Sequence, residues 1–105
     1  MIYVIHAVGT PFVKIGISTR RRNRLKELQI GCPFPLAYLA VAEWPNSDEI
    51  RIHRVLRAHR AKGEWFKRCP EIESLIKHMQ SASTCLAWLD ERTPRRLAKV
   101  LKLAR

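Results

Sequence analysis

Two short segments constrain what this chain can fold into more than any other feature: Ile2 to Val8 and Val13 to Ser18, both rich in Ile and Val, held apart by Gly9-Thr10-Pro11-Phe12. β-Branched residues in alternation, with a Gly/Pro turn between them, read as an antiparallel hairpin. Closing Val8 on Val13 gives one apolar face of Ile2, Val4, Val8, Val13, Ile15 and Ile17, with His6 its only polar member. The other face gathers Tyr3, Lys14, Gly16 and Ser18, because successive side chains alternate between faces. A slip by one residue would separate Tyr3 from Lys14. His6 reads as a hydrogen-bonded core histidine rather than a ligand.

Ser18 or Thr19 caps a helix that runs to Ile30 with Leu25 and Leu28 inward, and Gly31 and Pro33 end it. Leu36 to Trp44 reads as a third strand, stopped by Pro45. Asn46 or Ser47 then caps a second helix reaching Lys62, with Gly63 as its stop. Within it Ile52, Leu56 and His59 form a stripe, Glu49 and His53 lie on the same line, and Arg51, Arg54 and Arg57 lean away. Glu64-Trp65-Phe66 forms a short extended piece. Ile72, Leu75, Ile76 and Met79 fit a third helix, Leu86 to Leu89 a short fourth, and Thr93-Pro94 opens a last one. The expected architecture is α+β, an α/β sandwich with a small three-stranded antiparallel sheet flanked by helices. With 105 residues, 47% of them hydrophobic, the chain buries roughly two thirds of its unfolded surface and forms one compact domain. Residues 1–68 are its core, and 69–105 a helical extension packed on the same domain.

Charge supplies the next constraint. Lys and Arg number 20 against 9 Asp and Glu, a formal net charge of +11, which on so small a body draws a polyanion, most often nucleic acid. The excess sits in Arg20-Arg21-Arg22 with Arg24; in Arg51, Arg54, Arg57 and Arg60; in Lys67-Arg68; and in the tail, where Arg95, Arg96 and Lys99 line the polar side of the last helix. Any one such cluster can be a solvated helix face; the four together favour contact with a phosphate backbone. Cys32, Cys69 and Cys85 are odd in number and show no CxxC spacing, so neither a disulfide framework nor a structural zinc site is expected. No apolar run approaches the ~20 residues that span a bilayer, and no signal peptide is read at the amino end. The expectation is a soluble, cytoplasmic protein with no membrane partner.

Taken in order, Ile2-Tyr3-Val4, Val13-Lys14-Ile15-Gly16, Arg24-Leu25, Glu49, His53 and Gly63-Glu64-Trp65-Phe66 resemble the signature of the GIY-YIG nuclease superfamily. The likeness is strongest to its small bacteriophage-type branch, often described as DNA-binding, and to the meiotically up-regulated gene branch. It covers about Met1 to Lys67. Met1 stands where the first motif has glycine, Lys14 where the second has tyrosine, and Leu28 where the family has a histidine one turn after its arginine. The resemblance implies a GIY-YIG-like catalytic core that hydrolyses phosphodiester bonds in DNA, duplex or branched, by nicking or cutting. It implies Tyr3, Lys14, Arg24 and Glu49 as catalytic residues. Glu49 would hold Mg²⁺ or Mn²⁺, one ion per site.

The residue chemistry suits those roles. Mg²⁺ prefers carboxylate and water, and one carboxylate suits a single-ion site. Tyr3, with an ordinary pKa near ~10, would need a cation to favour its phenolate, and Lys14 on the same hairpin face is the expected one; Lys14 would otherwise take the proton itself. Arg24 offers a planar fork to the phosphate. Plainer readings stand beside these. Glu49 lies three residues after Asn46, the capping-box spacing. Tyr3 is also a good strand aromatic, Arg24 and Lys14 also good surface cations, and His53 either supports the site or packs the helix against Glu49. Glu64 would reach the site or Arg57, and Ser18 shares the Tyr3 face. Trp65 and Phe66 fit core sealing better than base stacking. The alternatives to a nuclease are a catalytically silent DNA-binding module of the same fold and an RNA-binding accessory protein. Cutting both strands would take a homodimer or two sequential nicks.

Overall fold

The computed structural model describes residues 1–81 and 83–92, without the side chain of Arg92. Strands β1 (Ile2–Ala7) and β2 (Phe12–Ile17) form the expected hairpin. Their register pairs Tyr3 with Gly16 and Ile5 with Lys14, two residues from a closure of Val8 on Val13. A shift of two preserves side-chain parity, so Tyr3, Lys14 and Gly16 share a face as the pattern requires. Helix α1 (Arg21–Ile30) follows, then β3 (Leu36–Ala42), antiparallel to β1 with an irregularity between Val4 and Ile5.

Two expectations need correction. Helix α2 covers Ser47–Val55 rather than reaching Lys62. Leu56 is the last buried residue of its apolar stripe, and beyond it only the half-exposed His59 continues the line. The chain instead makes a 3₁₀ turn (Arg57–His59) and enters β4 (Arg60–Lys62). Gly63, read as a helix stop, sits at φ +57° in the tight link to β5 (Trp65–Lys67), a conformation that an L side chain resists. The sheet therefore has five strands, in the order β3-β1-β2-β5-β4, not three. The α+β antiparallel architecture is otherwise as expected.

Helices α3 (Pro70–Gln80) and α4 (Cys85–Arg92) complete the described chain. Proline opens α3, where its missing N–H costs nothing. Ile72, Leu75, Ile76 and Met79 all point inward, as their spacing demands. One side of the sheet buries Ile2, Val4, Val13, Ile15 and Phe66 against Ile52 of α2, Leu56 just past its end, the inward side of α3, and Trp88 of α4. The other side buries Tyr3, Ile5, Ala7 and Leu36 beneath Leu25 and Leu28 of α1, with Tyr38 and Trp65 alongside. His6 is satisfied by a 2.8 Å contact from Nε2 to the Thr10 carbonyl. The final helix expected after Thr93, with Arg95, Arg96 and Lys99, lies outside the described residues. Among the described residues no helix is long and apolar enough to cross a membrane.

Candidate active site

Tyr3 begins the site. Its ring is fully buried on the α1 side of the sheet, edge-on to Tyr38 with centroids 6.2 Å apart. Across the hairpin stands Gly16, and the tyrosine fits only because that residue has no side chain: a Cβ there would lie 2.4 Å from the Tyr3 hydroxyl oxygen and 2.7 Å from Cζ. Arg24, delivered by the first turn of α1, donates from Nε to the Tyr3 hydroxyl at 3.4 Å. Burial raises the phenol's pKa; the Arg24 hydrogen bond and charge oppose it, and the Glu64 and Glu49 charges add to the rise.

Lys14 does not serve as the cation for Tyr3, contrary to the sequence expectation; Arg24 does. Lys14 Nζ is paired with Glu64 Oε2 at 2.8 Å and lies 5.9 Å from the centre of the Trp65 ring. Glu64 thus reaches the site rather than Arg57. The lysine side chain is only 12% exposed, so this pair is more strongly coupled than an open surface bridge.

The opposite helix layer supplies the acid. Strand β5 pairs with β2 only over Phe12, Val13 and Lys14. Just beyond, Ile15 donates its N–H to the Glu64 carbonyl at 3.0 Å, and its own carbonyl lies 3.0 Å from His53 Nε2. A carbonyl only accepts, so that contact places a proton on Nε2 and fixes the ring. His53 also stands edge-on to Phe66 at 5.0 Å. One turn earlier, Glu49 Oε1 is 3.9 Å from His53 Nε2, an ionic contact too long for a hydrogen bond. Glu49 Oε2 is buried with no hydrogen-bond partner among the described residues. Asn46 does not form the capping box: its backbone is helical and its side chain makes no cap bond.

Glu49 is therefore a carboxylate held where water solvates it poorly. Burial first, then the neighbouring Glu64 charge, raises its pKa, while His53 and Lys14 pull the other way. Such a group is stabilised by an added cation, and its hard oxygen, with Glu64 near, suits Mg²⁺ or Mn²⁺. Tyr3, Lys14, Arg24, Glu49, His53 and Glu64 form one electrostatic cluster drawn from both sides of the sheet.

Other candidates fall elsewhere. The Ser18 hydroxyl accepts the Arg20 N–H at 2.9 Å and so shapes the entry to α1. Arg20, Arg21 and Arg22 are exposed at that entry, Arg20 3.3 Å from Glu27 and Arg21 stacked 5.4 Å from the Tyr38 ring centre. Arg51 pairs with Asp48 at 3.0 Å, and Arg54 and Arg57 are exposed. Phe66 seals the core, as expected, while Trp65 is only half-buried beside Lys14. Two contributors escaped the sequence reading: Gly16 as the space that admits Tyr3, and Tyr38, whose ring walls Tyr3 and whose hydroxyl donates to the Arg21 carbonyl. Alternation within β3 signalled Tyr38 only once the pairing of β3 with β1 was known.

Compared with known proteins, residues 1–89 match the family model of the T5orf172 domain. No curated protein and no solved structure matches the chain.

Proposed function

The chain belongs to the T5orf172 domain family, a domain found in phage-type nucleases, and on that basis we propose that it is a metal-dependent DNA endonuclease of GIY-YIG type. The observation that carries this reading is Glu49, whose buried carboxylate oxygen has no hydrogen-bond partner among the described residues, set beside a second acid and a Tyr–Arg pair. A buried acceptor that the protein leaves unpaired needs water or a cation, and beside a second acid a divalent ion meets that need.

Held by Glu49 with Glu64 alongside, Mg²⁺ or Mn²⁺ would neutralise phosphoryl charge and the carboxylate charges that help keep Tyr3 protonated. Tyr3 would first release its own proton to solvent, Arg24 favouring the phenolate, and the phenolate would then take the proton of the attacking water. The Arg24 guanidinium, one third exposed and with Nη1 3.8 Å from Glu27 Oε2, would turn its planar fork to the phosphate, giving charge-assisted bonds that lysine cannot reproduce. Lys14, held by Glu64, stabilises charge on the departing oxygen. His53 sets the place of α2 against β2 and so the position of Glu49. No covalent protein intermediate is involved.

The test is nicking of supercoiled plasmid. Purified protein nicks with Mg²⁺ or Mn²⁺ and stops with EDTA, and Arg24→Ala abolishes cutting while DNA binding survives. Protein that binds DNA but never cuts duplex, nicked or branched substrates in either metal would instead be a silent binding module, and preference for folded RNA would make it an RNA-binding accessory.

A further inference from the structure

Outside the Glu49 cluster, three different metal-binding side chains converge where the 3₁₀ turn before β4 meets the start of α3. His59, Cys69 and Glu71 each offer one ligand atom, and all three atoms lie within 4.8 Å of one another. His59 Nε2 and Glu71 Oε2 are already 3.4 Å apart. Around a tetrahedral ion with bonds of roughly 2.0–2.3 Å, ligand atoms sit about 3.5 Å from each other, so His59 and Glu71 already have that spacing and the Cys69 Sγ lies within 4.8 Å of both. All three residues are half-buried, and His59 and Glu71 line a cavity of about 380 Å³ with Val55, Pro70 and Glu91. The His59–Glu71 contact and the hydrogen bond between the Cys69 thiol and the Glu71 carboxylate already draw the three groups together, and one shared cation would replace both contacts.

We infer that His59, Cys69 and Glu71 form a Zn²⁺ site, with the fourth coordination position open to the cavity. The donor set decides the class of ion. Imidazole nitrogen and thiolate sulfur suit zinc, whereas Mg²⁺ and Ca²⁺ take oxygen. Binding displaces the Cys69 proton to solvent as the Zn–S bond forms, and no electrons move. The ion ties the end of the His59 turn to the N-terminus of α3. The CxxC template applied to the sequence could not find it, because its ligands are spread over residues 59–71 and only one is a cysteine.

Co²⁺ is the probe, because thiolate ligation gives it a ligand-to-metal charge-transfer absorption that carboxylate ligation does not. The full chain is stripped with chelator, titrated with Co²⁺, and then back-titrated with Zn²⁺. The expected result is one equivalent of Co²⁺ showing the thiolate band, displaced by one equivalent of Zn²⁺, with the band unchanged in Glu49→Gln and in Cys32→Ser. Cys69→Ser loses the band, and His59→Ala weakens Zn²⁺ binding by at least about 100-fold, the upper end of what loss of an outer-shell partner causes. Circular dichroism confirms that each variant folds. Absence of a thiolate band in the folded wild-type protein, or its persistence in Cys69→Ser, would overturn the assignment. Neither outcome bears on nicking with Mg²⁺, so failure here is distinct from failure of the endonuclease reading.

Discussion

Glu49 is costly to keep ionised where it sits, and that cost has a sign that can be measured. Its folded pKa is raised above the ordinary 4.5, so between those two values the native state binds more protons than the unfolded chain. Its contribution to stability is present below about pH 4.5 and is lost as pH rises through the folded value. In metal-free buffer at pH 7, Glu49→Gln should therefore melt at a higher temperature than wild type, and the two should converge below about pH 4.5. A variant that melts lower at pH 7 would mean that the charge is satisfied after all. Gly16 makes the opposite case. The Cβ of Gly16→Ala would press on the buried Tyr3 hydroxyl, an overpacking that should cost ~1–3 kcal/mol in urea unfolding and push Tyr3 away from Arg24. Of these two, Glu49 was legible because its place on the α2 stripe and its family resemblance agreed. Gly16 was named as a motif residue but not as the space for Tyr3, since that role exists only once the hairpin register is fixed.

At the scale of elements, periodicity was informative wherever an element is long and one of its faces is buried. Ile2, Val4, Val13 and Ile15 of the hairpin and the inward residues of α3 followed from it because burial enforces a period of two or 3.6, whereas Val8 and Ile17, expected on the same core face, are exposed at the hairpin's ends. It failed between Leu56 and Lys67, where three-residue strands carry no period and β4 is exposed throughout. Gly63 marked a break correctly; whether it stops a helix or turns a hairpin depends on β2 lying alongside to pair with β5. Gly63→Ala should destabilise the fold by roughly 1–2 kcal/mol, the cost of a left-handed backbone for an L-residue, and loosen the link that carries Glu64. Hydrogen exchange across Arg60 to Lys67 would register it, and unchanged protection would contradict the turn assignment. Helix α4 is anchored by Trp88, fully buried with its indole N–H donating to the Glu71 carbonyl at 3.1 Å. Trp88→Ala should cost ~3–5 kcal/mol and release α4 from α3.

Over the whole molecule, the order β3-β1-β2-β5-β4 was not readable from the chain, because two of its four pairings, β3 with β1 and β2 with β5, join segments distant in sequence and no local signal selects the partner. That order brings Lys14, Glu64 and His53 to one margin of β2, while among the described residues Arg20, Arg21, Arg22, Arg54 and Arg57 are exposed beyond it. The division predicts two separable phenotypes. Replacing Arg20, Arg21 and Arg22 by alanine should weaken duplex binding at every sequence and reduce the salt slope by about 0.9 for each phosphate that is no longer neutralised. Substitution at the site should leave that slope nearly intact. The most direct test of Glu49 as the ligand of the catalytic ion is plasmid nicking by wild type and Glu49→Gln, each with saturating Mg²⁺ and at protein concentrations giving equal DNA occupancy. Wild type should nick, and Glu49→Gln should bind equally yet leave the plasmid intact; nicking by the variant at the wild-type rate would contradict that role.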